Sequence, residues 1–234
     1  MSVLLQKLDF DIEILVGDDN STDDSFNIAK RMEKFYESER VKFKIRRNES
    51  NLGEINNTKS LLNSSEGEYI AYLDADDFWI DPLKLTKQIE FMDRNKDYSL
   101  CVTGQINFQN GTYIPTSDFS YWLCPVNLEK MSSEDLSSGN VVGSSSSRFF
   151  RNYPDIIKDY FYEFPYSDWP MNFELSLRGK IKYLDFPGYV YTIHKDSLSE
   201  KDLNPSLDSQ NLYNKRTNIL REILEQNNII NLEK

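Results

Sequence analysis

Short apolar runs alternate with stretches of helical periodicity along the first half of the chain. Ile12-Glu13-Ile14-Leu15-Val16-Gly17 and Tyr69-Ile70-Ala71-Tyr72-Leu73 read as short buried strands. Between them Ile28, Met32 and Phe35 recur at helical spacing, after a capping and acidic segment, Asn20-Ser21-Thr22-Asp23-Asp24. Val41 to Ile45 predicts a strand, Asn51-Leu52-Gly53 a turn, and a helix runs from there to about Ser64. Asp81-Pro82 has the form of a helix cap and first position, with Leu85, Ile89 and Met92 as the apolar stripe behind it. Tyr98 to Thr103 predicts another strand. This alternation predicts an α/β fold with a mixed, mostly parallel sheet flanked by helices.

The second half is less regular. Aromatics, prolines and Asn110-Gly111 between residues 107 and 132 predict loops or a hairpin. Ser144 to Ser147 reads as a strand end or loop beside Val141-Val142. Asp168-Trp169-Pro170 opens a short helix ending at Gly179. Lys180 to Phe186 and Tyr189 to Ile193 read as strands, and Leu212, Arg216, Ile219, Leu220 and Ile223 mark a last amphipathic helix.

Two acidic clusters change the picture. Asp18-Asp19 follows the first apolar run, and Asp74-Ala75-Asp76-Asp77 follows the second. Parallel strands in one sheet would deliver both to its carboxyl edge, where open α/β sheets bind ligands. So many carboxylates in one crevice repel each other and call for a cation. A divalent metal carrying a phosphorylated substrate meets that need. Carboxylates two apart at a strand end point to different sides, so Asp74 can meet a ribose while Asp76 meets the cation. Alone, such a pair is equally a solvated strand-to-helix turn.

Composition narrows the partners. The formal net charge is −11, which disfavours nucleic acid. Cys101 and Cys124 have neither metal-site spacing nor disulfide density, which fits a reducing cytosol. No basic-then-apolar leader and no apolar stretch near ~18 residues is present, so a cytoplasmic protein is expected, with peripheral membrane attachment left open. His194 is the single histidine, ending a strand-like run, and is a structural group or a ligand. Asp168 is a helix cap or a functional carboxylate. Trp79 and Trp169 are packing residues or sugar-stacking platforms, and Phe149 and Phe150 belong to the core.

Together these residues resemble family 2 glycosyltransferases. The resemblance is carried by Glu13 to Asp24, Asn51-Leu52-Gly53, Glu66 to Trp79 with its Asp74-Ala75-Asp76, Asp81 to Leu85 with Gln88, Asp168-Trp169-Pro170, Gly179-Lys180-Ile181, and Tyr191-Thr192-Ile193-His194 with Ser197 and Ser199. It implies a GT-A-like (Rossmann-like) domain over residues 1–205, with a nucleotide-binding half (1–104) and an acceptor half (105–205), then a C-terminal helix in 206–234. It also implies a nucleotide-sugar donor, a UDP-sugar first, a divalent metal (Mn or Mg), and a glycan or lipid-linked acceptor. Position by position, Asp19 would accept a hydrogen bond from the nucleotide base, and Asp74 would contact the nucleoside. Asp76 would bind the metal, with His194 as a further metal or diphosphate contact and Lys195 near phosphate. Asp168 matches the general base that deprotonates an acceptor hydroxyl for inverting displacement.

Members of that family begin with a strand that cradles the base, whereas Ser2-Val3-Leu4-Leu5-Gln6 resembles the end of the helix that follows it. The resemblance therefore implies a missing first strand and an open sheet edge that a partner chain could complete. Ser167 stands where glycine is common and Thr192 where arginine is common. Two other readings compete: a non-catalytic glycan- or protein-binding descendant, and a phosphoacceptor receiver domain. The latter is disfavoured by the long Asp19-to-Asp74 gap and the lack of a later lysine-proline pair.

Overall fold

The computed structural model describes residues 2–114, 132–140, 142–153, 155–194 and 207–227. After a 3₁₀ turn at Ser2–Leu5, a strand–helix–strand unit comprises β1 (Ile12–Asp18), α1 (Ser25–Tyr36) and β2 (Val41–Arg47). Next come α2 (Glu54–Ser64), β3 (Tyr69–Ala71), β4 (Phe78–Trp79), α3 (Lys84–Arg94), β5 (Tyr98–Gln109) and β6 (Thr112–Ile114). The rest contains α4 (Ser133–Ser137), a 3₁₀ turn at Ser145–Ser147, β7 (Phe149–Arg151), α5 (Asp168–Ser176), β8 (Lys180–Ile193) and α6 (Leu207–Gln226).

The α/β class and the mixed sheet are as expected, and the strands divide between two sheets. β1 and β2 pair in parallel as a sheet of their own, and the larger sheet runs β3-β7-β5-β8-β4 with β6 on β5. In that sheet β5–β8 is parallel and the other pairings are antiparallel. One cause is local. Asn110 and Gly111 adopt positive φ, 51° and 80°, which matches the twist of a two-residue hairpin and folds β6 back on β5. The two acidic clusters thus leave strands of separate sheets.

Strand alternation builds the core. Leu100, Val102 and Phe150 point to one face, where they pack with Met171, Phe173 and Leu175 of α5 and Leu220 and Leu224 of α6. Cys101 and Phe149 point to the other, where Leu85 and Met92 of α3 join Trp79 and Tyr189. Phe149 and Phe150 are core, as read. β8 is one continuous element where two strands were read, with a register shift near Gly188. A Cβ at Gly188 would lie 2.2 Å from Thr103 Oγ1, so only glycine permits this approach of β8 to β5. By contrast, the apolar residues of β1 are half-buried and α1 buries none of its side chains. Among the described residues no helix is long and apolar enough to cross a membrane.

Candidate active site

The site forms where β3 ends. Tyr72 still donates its N–H to the Arg148 carbonyl at 3.2 Å, and the chain then turns, closed by Asp77 N–H to the Asp74 carbonyl at 3.2 Å. That turn gathers Asp74, Asp76 and Asp77. The serine 3₁₀ turn clasps it. Ser146 Oγ donates to Asp77 Oδ2 at 2.6 Å and accepts the Asp74 N–H at 3.0 Å. From β8, Thr192 N–H donates to Asp77 Oδ1 at 2.9 Å. Trp79 Nε1–H donates to the Ser146 carbonyl at 3.1 Å, so this tryptophan is a buried strut.

Charge accumulates there. Burial pushes the Asp74 carboxyl well above the usual range, and Asp168 adds to that, while Arg148 opposes it. Burial raises Asp77 to about 6, opposed by the Ser146 hydroxyl and the Thr192 N–H. Asp76 is half-exposed, and its Oδ2 lies 3.1 Å from His194 Nε2. The two predicted metal residues therefore meet, although they are 118 positions apart. Among the described residues no group of three or more His, Cys, Asp or Glu forms a metal cage. A carboxylate–imidazole pair at the rim is nevertheless a donor set that a manganese- or magnesium-type cation can use, with water or phosphate oxygens completing its shell.

Asp168 is the first residue of α5, and Ser167 takes the cap position without a capping bond. The Asp168 carboxylate turns instead to Arg148, whose Nη2 donates to Oδ1 at 2.7 Å, and to the Ser145 hydroxyl, which donates to the same oxygen. Asp168 thus faces the Asp74–Asp77 turn closely enough to help raise both carboxyls. Asp19 sits apart. Burial works against its charge, but the N–H groups of Leu52 and Gly53 and the Asn48 amide outweigh this and lower its pKa. Those donors lie 2.8 Å from its oxygens. Lys195 lies outside the described residues.

The model of the family described as "Glycosyl transferase family 2" matches residues 2–156. The chain belongs to glycosyltransferase family 2. Among curated relatives, it is 34% identical over 96 residues to the uncharacterized protein Rv1520 of Mycobacterium tuberculosis, a stretch covering 41% of this chain and 27% of that protein. It is 36% identical over 85 residues to the UDP-Glc:alpha-D-GlcNAc-diphosphoundecaprenol beta-1,3-glucosyltransferase WfaP of Escherichia coli, covering 36% and 31%. The match thus spans about a third or less of these relatives' own lengths. Among solved structures, Staphylococcus aureus TarS residues 1–349 align with TM-score 0.57 at 22% identity, covering 82% of this chain and 54% of that one. The Pyrobaculum calidifontis mannosyltransferase PcManGT, in complex with GDP-Man and Mn2+, aligns with TM-score 0.61 at 13% identity, covering 86% and 54%. These neighbours establish the shared GT-A fold.

In this family 2 glycosyltransferase several site residues escaped sequence reasoning. Ser145 and Ser146 lie in a run read as a strand end or loop, and Arg148 directly follows it, yet they touch Asp168, Asp74 and Asp77. A signal existed: four serines and an arginine sit between the core residues Val142 and Phe149. Glu54 was also missed. Its Oε2 accepts the Ser167 N–H at 2.8 Å, and its Oε1 accepts the Ser167 hydroxyl at 2.6 Å. Because Gly53 donates to Asp19 and Glu54 grips Ser167, the start of α2 ties the Asp19 loop to the Asp168 helix. Ser167, in place of the common glycine, supplies the hydroxyl for that grip. Trp169 packs between Phe164 and Tyr213 and donates to the Leu136 carbonyl at 2.6 Å, so it acts as a packing residue.

Proposed function

We propose that this chain transfers a sugar from a nucleotide-sugar donor to an acceptor hydroxyl, with a divalent metal and inversion at the anomeric carbon. The observation that carries the reading is the convergence of Asp74, Asp76–His194 and Asp168 around one turn. Asp76 and His194 would hold the metal beside the diphosphate, and Asp74 would meet the nucleoside. The bound metal would supply charge stabilisation to the departing diphosphate. Asp168 would take the acceptor proton, Asp19 would meet the base, and Lys195 would lie near phosphate. In this reading residues 1–104 bind the nucleotide and 105–205 the acceptor.

The glucosyltransferase name of the Escherichia coli relative supports a UDP-sugar donor and a lipid-linked glycan acceptor, hence surface-glycan assembly at the cytoplasmic face of a membrane. Half-buried β1 supports a partner strand. Ile12 N–H and the Asp18 carbonyl bond toward β2, so alternation turns the backbone groups of Glu13, Leu15 and Gly17 to the other edge. There the Asn57 amide already caps the Gly17 carbonyl at 2.9 Å. The test is a thermal-shift screen of nucleoside diphosphates and nucleotide sugars, with and without manganese. A metal-dependent rise for one nucleotide, lost in Asp76→Ala, is expected. An intact fold that responds to none, and transfers nothing, would favour a binding module instead.

A further inference from the structure

Arg148 is 0% exposed, a rare state for an arginine. Its Nη2 reaches Asp168 and Ser145, while among the described residues nothing hydrogen-bonds the buried Nε and Nη1. The guanidinium carbon lies 4.9 Å from the centroid of the Tyr72 ring, a cation–π contact that offsets part of that burial. An arginine kept only for packing or for salt-bridge stability would not leave two donors unsatisfied, because each carries a desolvation penalty. Among the described residues its one charge-assisted contact is with Asp168.

The contact is selective at the level of atoms. Arg148 Nη2 and the Ser145 hydroxyl both donate to Oδ1 of Asp168. Among the described residues neither engages Oδ2. The Asp168 side chain is about a third exposed while Arg148 is fully enclosed, so the clamp grips the carboxylate from the protein side. Ser145 is adjacent to Ser146, which clasps Asp74 and Asp77. One turn therefore links Asp168 to the acidic turn.

We propose that Arg148, assisted by Ser145, is a positioning residue that immobilises Asp168 through Oδ1 and presents Oδ2 to the acceptor hydroxyl. This rests on the transferase reading above. In the step it serves, the acceptor oxygen bonds to the anomeric carbon, and the bond from that carbon to the donor diphosphate breaks. The bonding pair leaves with the diphosphate, and the acceptor proton passes to Oδ2. Arg148 touches no reacting atom. It narrows the orientations of the group that does.

Two measurements on the whole chain test this. The first needs no activity: with 15N-arginine labelling, Arg148 Nη–H resonances should be resolved by hindered rotation and should merge or vanish in Asp168→Asn. Their absence from the wild type overturns the clamp. The second is kinetic. Arg148→Met should lower kcat by about 10²-fold or more, the scale of general-base catalysis, while donor KM stays within about threefold. Arg148→Lys should fall between, since a lysine keeps the charge but not the planar fork. Ser145→Ala should show a smaller loss of the same kind and covers the case in which Arg148→Met does not fold. Arg148→Met added to Asp168→Asn should cost nothing further. A folded Arg148→Met with wild-type kcat, or a defect confined to KM, overturns the proposal. A wild type that turns over no donor overturns the transferase reading, and the resonance test then decides the clamp by itself.

Discussion

Replacing Glu54 by alanine should destabilise the fold by about 3 kcal/mol, from the loss of two charge-assisted hydrogen bonds worth about 1.5–3 kcal/mol each. Ser167 is 0% exposed, and both its N–H and its hydroxyl donate to the Glu54 carboxylate, at 2.8 Å and 2.6 Å. Removing the acceptor strands a backbone donor and a hydroxyl in the interior. Thr58 Oγ1, which also reaches Glu54, keeps its contact with the Tyr72 hydroxyl at 2.8 Å and adds little to the loss. Glu54 is only partly buried, so some water enters the gap, which is why the lower end of the range applies. For a chain of this size the midpoint of thermal unfolding should drop by about 6–12 °C. Glu54→Gln retains one carbonyl oxygen and should lose about half as much. The assay is thermal and urea unfolding followed by circular dichroism and tryptophan fluorescence. A Glu54→Ala midpoint within about 2 °C of wild type would refute the reasoning, since the buried donors would then have found other partners.

Three further outcomes follow from the site. Saturating manganese and nucleotide at about 100 Kd should stabilise the wild type by about 2.7 kcal/mol, and Asp76→Ala or His194→Ala should abolish the metal-dependent part in a thermal-shift assay. Asp77, raised to about 6 by burial, binds its proton more tightly folded than unfolded. The metal-free protein should therefore lose stability as pH rises from about 4 to about 6, by up to about 3 kcal/mol from this group, and Asp77→Asn should remove that slope in urea titrations under chelation. Gly188→Ala would set a Cβ 2.2 Å from Thr103 Oγ1 and 2.7 Å from its Cβ. It should cost about 1–3 kcal/mol in urea unfolding, and a cost near zero would show that β8 yields easily.

Much of this architecture was legible because it is local. The apolar runs at Ile12 and Tyr69 are strands, α2 ends at Ser64 as read, and Asn110-Gly111 makes the hairpin turn its residue types require. Other features were legible only in part. The helix after Asp81-Pro82 starts two residues beyond the proline, because Asp81 Oδ1 takes the Leu83 N–H at 2.8 Å and forms a turn of its own first. Asp168 was poised between cap and function, and a partner 20 positions away, Arg148, drew it from the cap role.

What the sequence by itself determined was the placing of carboxylates at strand ends, since alternation and turn chemistry act over a few residues. Which carboxylates share one site was decided by tertiary structure. Asp74 meets Ser146 across 72 positions, Asp76 meets His194 across 118, and Glu54 meets Ser167 across 113. No local period encodes such pairs. They arise because β3, β7, β5 and β8 stack side by side, and that order is set by how Leu100, Phe150 and Met171 bury together. The same packing encloses Arg148, and only inside that low-dielectric enclosure does one guanidinium govern the aim of Asp168.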